Sequence, residues 1–339
     1  MRHVILFGGS FDPIHYGHLE IAKAALVSRN ADELWFIPTK RSPFKNDSTS
    51  FEDRKHMIEM MISGHKRMSV NSVESMLPEP SYSIDTVSEL RNRFPDYTFD
   101  WLIGSDQLPR MHEWKQIDVL KDSVQFIVYN RGTEHLTTDY PIISGSVFPY
   151  SSTEIREGKS MATKPSILRY MTEQSLYMQT LNRANLTPYR AEHVFRVVAL
   201  AQELARTHNV DYEAVTLAAY AHDLKKETDK EDLKMTMQAK APQHEVLHPA
   251  FYHAFAAKYL LTRKYYIKNK HVLQAIEGHV DGHSTNPVGM ILYIADKCER
   301  GRSWDSEPFI KLAKQDLRKG FKALRKYQRE FEQTKGNLK

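Results

Sequence analysis

The sequence predicts two domains, an α/β domain built on a parallel sheet followed by an all-α helical bundle. Its 339 residues exceed what one ordinary hydrophobic core fills. Up to about residue 150, short apolar strands alternate with helices, the pattern of a parallel sheet covered on both faces. Beyond about residue 165, strand candidates vanish and the long segments repeat at helical spacing.

In order, HVILFGG reads as a strand, HLEIAKAALVSR as the helix behind it, ELWFIP as a second strand and FEDRKHMIEMMISG as a second helix. YTFDWLIG and VQFIVYN complete the strand set. Helices are then expected over SILRYMTEQSLYMQ, RAEHVFRVVALAQELARTH, YEAVTLAAYAHDLKK, HAFAAKYLLTRKYY, HVLQAIEGH and GMILYIADKCERG. The join is expected between Leu176 and Pro188, where NRANLTP supplies turn residues, giving domains 1–180 and 181–339. The Lys-rich tail after Arg318 reads as an exposed helix that frays.

Composition narrows the function classes. Hydrophobic residues make up 41% and charged residues 26%, a globular balance. No apolar run reaches the roughly 18 residues of a membrane span, and the N-terminus lacks a secretory pattern. The single cysteine, Cys298, excludes an internal disulfide, which fits a cytoplasmic protein. A net charge of +5 suits anionic substrates such as nucleotides. No zinc finger, helix-turn-helix or aromatic-interleaved basic stripe is present, so neither a nucleic acid nor a membrane is expected as partner. A homo-oligomer is compatible with the sequence.

The first strand runs into GGSFDPIHYGHL. Gly8 and Gly9 remove side chains where the chain leaves the sheet, so that backbone amides of Gly8–Phe11 can approach a phosphate. His15 and His18, three residues apart at a helix start, can face one spot. Gly17 would let a bulky anion reach the helix N-terminus, where dipole and amides favour negative charge. The Gly-rich Lys-Ser/Thr phosphate loop and the dinucleotide glycine fingerprint are both missing.

This stretch resembles the nucleotidyltransferase superfamily with the His-x-Gly-His signature, a Rossmann-like fold. IPTKRSPFK, PSYSIDTV, IGSDQL followed by Trp114, and YSSTEIR narrow the resemblance to the bacterial nicotinate mononucleotide adenylyltransferases, over roughly residues 1–178. The resemblance implies that ATP and nicotinate mononucleotide give deamido-NAD and pyrophosphate, with Mg2+ as cofactor. Adenylyl transfer of this kind needs positioning and charge stabilisation rather than a base. His15 and His18 are then candidates for the ATP phosphates, and Lys45 for the departing pyrophosphate. Ser152 and Thr153, with Arg156 a turn later, offer a second anion cradle. Asp106 is a candidate for the adenosine ribose or a metal water, Ser10 and Phe11 for the ATP loop, and Trp114 for stacking on the pyridine ring. Thr86 resembles the family residue near the nicotinate carboxylate. Ser10 stands where the family often has threonine, Phe44 where a histidine is common before Lys45, and Tyr150 where isoleucine is usual, an exchange expected to be without consequence. Related transferases for nicotinamide mononucleotide or phosphopantetheine remain alternatives.

In the second half, His193, His222-Asp223 and Asp296 fall on three different predicted helices. A carboxylate on the apolar segment ILYIADKCE should point at a charge, since burying it unpaired is costly. Mixed imidazole and carboxylate ligands suit iron, manganese or zinc, and helical bundles often carry such inward-facing sites. The set, with Asp296 in an AD-x-x-E-R-x-R string, resembles the HD-domain metal phosphohydrolases. His248 and His279 narrow the resemblance to the bacterial symmetrical diadenosine tetraphosphate hydrolases, over about residues 185–305. It implies attack of metal-assisted water on a phosphorus of diadenosine polyphosphates to give ADP, with His248, His279 and Arg302 at a second metal or at the polyphosphate. Pro249 follows His248 where glycine is usual, and His253 and His283 have no assigned place. A non-hydrolytic, nucleotide-sensing HD domain is the alternative. HEVLH at 244–248 matches a zinc-protease pattern, but Pro249 disfavours the helix that pattern needs.

Overall fold

Strand β1 (Arg2–Gly9) opens the computed structural model, which describes residues 1–41, 49–130, 136–242 and 248–336. The chain divides into two compact units, residues 1–155 with 159–167, and residues 156–158 with 168–339.

In the first unit β1 is followed by α1 (Tyr16–Ser28), β2 (Glu33–Pro38), α2 (Phe51–Ile62), β3 (Met68–Val70) and α3 (Ser83–Arg93). Then come β4 (Tyr97–Gly104), α4 (Ile117–Ser123), β5 (Gln125–Asn130) and β6 (Ile142–Ser144). The strands pair in parallel in the order β3-β2-β1-β4-β5-β6. All four expected strands are present. The edge strands β3 and β6 have three residues each, too few to show a period in sequence. Val4, Ile5 and Leu6 at the centre of β1 are fully buried, which is why that strand reads as an unbroken apolar run rather than an alternation. Strand order reverses between β1 and β4, and this opens a crevice at their carboxyl ends.

Helices α5 (Ser152–Arg156) and α6 (Pro165–Glu173) straddle the division between the units. The second unit continues with α7 (Met178–Asn185), α8 (Pro188–His208), α9 (Tyr212–Ala221), α10 (Lys230–Lys240) and α11 (Tyr252–Arg263). It ends with α12 (Lys270–Glu277), α13 (Pro287–Cys298), α14 (Glu307–Gln315) and α15 (Leu317–Gly336). Local chemistry sets the long helices. Thr187 accepts from Arg190 N ahead of Pro188 at the start of α8, and Asn209 ends that helix in a left-handed conformation. Asp211 then caps α9 by accepting from Ala214 N. Helix α13 is buried from Val288 through Asp296, apolar nearly all round, as the central helix of a bundle must be.

Three expectations change here. SILRYMTEQSLYMQ is two helices, α6 and α7, broken where Ser175 and Tyr177 take positive φ. The NRAN of NRANLTP completes α7 instead of forming a turn, because Asn182 is buried and donates to Met178 O and Tyr220 O. The units separate upstream of it, at Ile167 and Leu168. The basic tail forms α15, which is docked by Phe321 and Leu324, both buried, so it is not merely an exposed extension. No helix among the described residues is long and apolar enough to cross a membrane.

Candidate active sites in the two units

In the first unit the carboxyl ends of β1 and β4 border a cavity of about 530 Å³. Gly8, Gly9, Ser10, Phe11, His18, Asp106 and Trp114 all line it. The glycines are required by ring packing. A Cβ on Gly8 would stand 2.9 Å from the Trp101 ring, and one on Gly9 would stand 3.0 Å from Phe11. Gly17 plays the same part for His15, whose ring would lie 3.0 Å from an added Cβ.

The His15 and His18 rings lie 3.8 Å apart at the start of α1, so the two residues do share one spot. His18 Nδ1 accepts from His15 N at 3.3 Å, which places the proton of the neutral ring on Nε2. The loop carrying His15 is tied down from a distant stretch. Ser152 Oγ donates to Pro13 O, Thr163 Oγ1 donates to Ile14 O, and Tyr16 N donates to Ala162 O. Ser152 therefore spends its hydroxyl proton on the histidine loop. Thr153 is exposed, and Arg156 closes α5 as part of the second unit. Tyr150, expected to be without consequence, stands edge-on to His15 with ring centroids 5.8 Å apart.

Thr86 is fully buried and does not line the cavity. Its hydroxyl donates to Glu74 Oε1 at 3.0 Å, and Glu74 Oε2 accepts from Lys40 N, also at 3.0 Å. Glu74 does line the cavity, and burial pushes its carboxyl up. Trp114 meets Phe126 edge-on behind the cavity. Asp106 accepts from Gln107 Nε2. Lys45 and Phe44 lie outside the described residues.

Arg54 is a residue the sequence reading did not single out. It is 1% exposed and donates to Ser10 O, Thr49 O and Lys40 O, joining the loops after β1 and β2 behind the cavity. Arg54→Met would leave those carbonyls without that donor. The variant is expected to lose about 3 kcal/mol of stability in the first unit, read by denaturant unfolding, since each unmet buried acceptor costs about 1–3 kcal/mol.

In the second unit two groups of side chains are placed to hold metal ions, His193 with His222 and Asp296, and Asp223 with His253 and His279. All six are buried. Their tautomers are set by local contacts. His222 Nδ1 faces Ala219 O at 2.7 Å and His279 Nδ1 faces Ile276 O at 2.6 Å. Both Nδ1 atoms therefore donate, which turns an Nε2 lone pair toward the cluster. Asp223 joins the two groups. Its Oδ1 is 3.3 Å from His253 and 3.6 Å from His279, and its Oδ2 is 3.7 Å from His222.

The donor set fits divalent metal ions. His193 Nε2 and His222 Nε2 are buried without a hydrogen-bond partner among the described residues. His193 Nε2 is 3.2 Å from Asp296 Oδ1, within ion-pair reach but without hydrogen-bond geometry. Burial pushes His222 down to about 4, so its ring is neutral near pH 7 and open to a metal. Burial pushes Asp223 up, but His222, His253 and His279 outweigh it and hold the carboxylate well below its usual range. Burial likewise opposes Asp296, where Lys297 and His193 prevail and keep the carboxylate ionised.

Sequence models and relatives agree with this division. A cytidylyltransferase-like model matches residues 6–158 and an HD-domain model matches residues 190–301. The nicotinate-nucleotide adenylyltransferase of Bacillus subtilis is 35% identical over 52% of this chain and 99% of its own. The chain belongs to the nicotinate-nucleotide adenylyltransferase family. A Mycoplasma pneumoniae protein named as a probable nicotinate-nucleotide adenylyltransferase/Ap4A hydrolase is 29% identical over 97% of this chain and all of its own. A solved nicotinic acid mononucleotide adenylyltransferase from Plasmodium falciparum covers 52% of this chain and 98% of its own, at 21% identity and a TM-score of 0.45.

Within this adenylyltransferase the HD unit adds to or corrects the sequence reading at four residues. His253, left without a place, stands beside His279 with their Nε2 atoms 3.2 Å apart. His248 is exposed at φ −58°, ψ 136°, where its Nδ1 accepts from Ala250 N, a non-helical geometry that also removes the protease reading of HEVLH. Arg302 is spent on Asp296, donating to its backbone carbonyl and, at 3.1 Å, to Oδ1. His283 pairs with Asp281 at the surface. The cations around the carboxylates were missed, namely Arg190 at 3.1 Å from Asp223 and Lys297 at 2.8 Å from Asp296. One signal for them was available, because Arg190, His193 and Arg196 recur every three residues along one helix.

Proposed function

We propose that the first unit transfers the adenylyl group of ATP to nicotinate mononucleotide, in NAD biosynthesis. The observation that carries this reading is the close His15–His18 pair beside a cavity that also holds Asp106 and Trp114. A phosphate oxygen of the mononucleotide attacks the α-phosphorus of ATP. The new P–O bond forms as the bond to the β-phosphate bridging oxygen breaks, and pyrophosphate leaves with that electron pair. The attacking phosphate, with a second pKa of about 6, needs no protein base. His18 Nε2–H and His15 meet charge developing on the phosphates, and Mg2+ accompanying ATP would supply further neutralisation. Trp114 offers its face to the pyridine ring and Asp106 its carboxylate to the ribose. Thr86 acts through Glu74 from beneath the cavity, while Lys45 is assigned to the pyrophosphate on sequence alone.

The second unit, in this proposal, hydrolyses diadenosine tetraphosphate to two ADP. The intact set of buried imidazoles and carboxylates supports hydrolysis over a purely sensing role. Iron, manganese and zinc suit these donors and would supply Lewis-acid polarisation of the bridging phosphate. Lys226, 3.4 Å from His253, is placed to meet a polyphosphate oxygen.

The test is pyrophosphate release from ATP, Mg2+ and nicotinate mononucleotide beside a nicotinamide mononucleotide control, with ADP release from diadenosine tetraphosphate after Mn2+ loading. Strong preference for the acid and formation of ADP are expected. Preference for the amide would overturn the first assignment, and an untouched dinucleotide the second.

A further inference from the structure

We propose that Glu299 is a positioning residue of the HD unit, fixing the tautomer of His193 so that Nε2 presents its lone pair to a metal ion. The proposal rests on the reading of His193 as a ligand. Glu299 follows the last turn of α13 and is 2% exposed. Its Oε1 faces His193 Nδ1 at 3.2 Å. Its Oε2 accepts from Arg196 Nε and from Gly301 N, each at 2.6 Å. A Cβ at residue 301 would collide with the Arg196 guanidinium, so glycine there allows the clamp to close.

Among the other imidazoles of the cluster, His222 and His279 rest their Nδ1 atoms on backbone carbonyls. His193 leans on an ionised carboxylate, which is a stronger acceptor and raises the basicity of the opposite nitrogen. Held as it is, Glu299 has only acceptor atoms to offer. An N–H is therefore required at Nδ1, which leaves Nε2, without hydrogen-bond geometry to the nearby Asp296 Oδ1, as the nitrogen open to a metal.

A glutamine at this position reverses the logic. Arg196 Nε and Gly301 N both demand an oxygen at the Oε2 place. The amide NH2 is left facing His193 Nδ1, which must then accept, and the ring proton moves to Nε2, where a metal would otherwise bind. The competing contacts to the Oε1 place, from Arg196 Nη2 at 3.4 Å and Arg302 Nε at 3.7 Å, are longer.

The experiment compares wild type, Glu299→Gln and His193→Ala by Mn2+ titration calorimetry, with heat unfolding of each as the folding control. Nitrogen-15 spectra of the histidine rings in metal-free protein give the tautomer. Expected are a Mn2+ affinity lowered about 10–100-fold in Glu299→Gln and a His193 proton moved from Nδ1 to Nε2, a signature that a merely structural role would not produce. Wild-type affinity in Glu299→Gln, with affinity lost in His193→Ala, overturns the positioning role alone. Wild-type affinity in His193→Ala overturns the ligand reading itself. Should Glu299→Gln fail to fold, Arg196→Gln, whose side chain is 36% exposed, loosens the same clamp. It is expected to weaken Mn2+ binding severalfold, and unchanged affinity there counts against the proposal.

Discussion

His18→Ala is expected to lower kcat for adenylyl transfer about 10²–10³-fold while leaving KM for nicotinate mononucleotide nearly unchanged, the cost of removing one donor aimed at developing charge. The side chain lines the cavity and is only partly buried, so its loss opens no core. The structural penalty includes the bond from His15 N to Nδ1, worth about 1 kcal/mol, and the edge-on contact with the Phe11 ring. Steady-state pyrophosphate release checks this, with urea unfolding as control. A variant within twofold of wild type in kcat would remove the histidine pair from the phosphate site. A rise confined to KM would assign His18 to ground-state binding.

Asp223→Asn is expected to abolish both metal equivalents of the HD unit and to reduce dinucleotide hydrolysis at least about 100-fold, since metal assistance is worth several kcal/mol and each 1.36 kcal/mol is tenfold. One oxygen of Asp223 serves His253 and His279, and the other lies near His222, His193 and Arg190. An amide removes the charge and turns one of these acceptors into a donor that cannot ligate. Adenylyl transfer should persist, because the substitution lies in the other unit. Mn2+ at about 100 times its Kd should stabilise wild type by about 2.7 kcal/mol against heat and leave the variant unmoved. Retention of both Mn2+ equivalents would end the two-site reading.

The misreadings have a common cause. Asn182 looked like a turn residue because asparagine favours turns, but burial against Tyr220 O gave its amide a partner inside a helix. Arg302 looked available to phosphate because a linear motif shows charge without showing which carboxylate is nearer. His253 had no place because its ligand partners, Asp223 and His279, are distant in sequence and meet only when α11 and α12 pack. Tyr150 reads as without consequence and Arg54 goes unnamed for the same reason, since their partners come from other loops.

The sequence by itself determined the two architectures and the four central strands, and it pointed to the His15–His18 pair and to His193, His222, Asp223, His279 and Asp296. Those features rest on hydrophobic period and on short motifs whose members are close along the chain. The tertiary structure alone decided that His253 stands beside His279, that His193 Nδ1 meets Glu299 and that Arg190 is committed to Asp223. These depend on contacts across tens of residues, where a shift of an ångström or two decides whether a nitrogen faces a carbonyl, a carboxylate or a metal, and no local pattern encodes that distance.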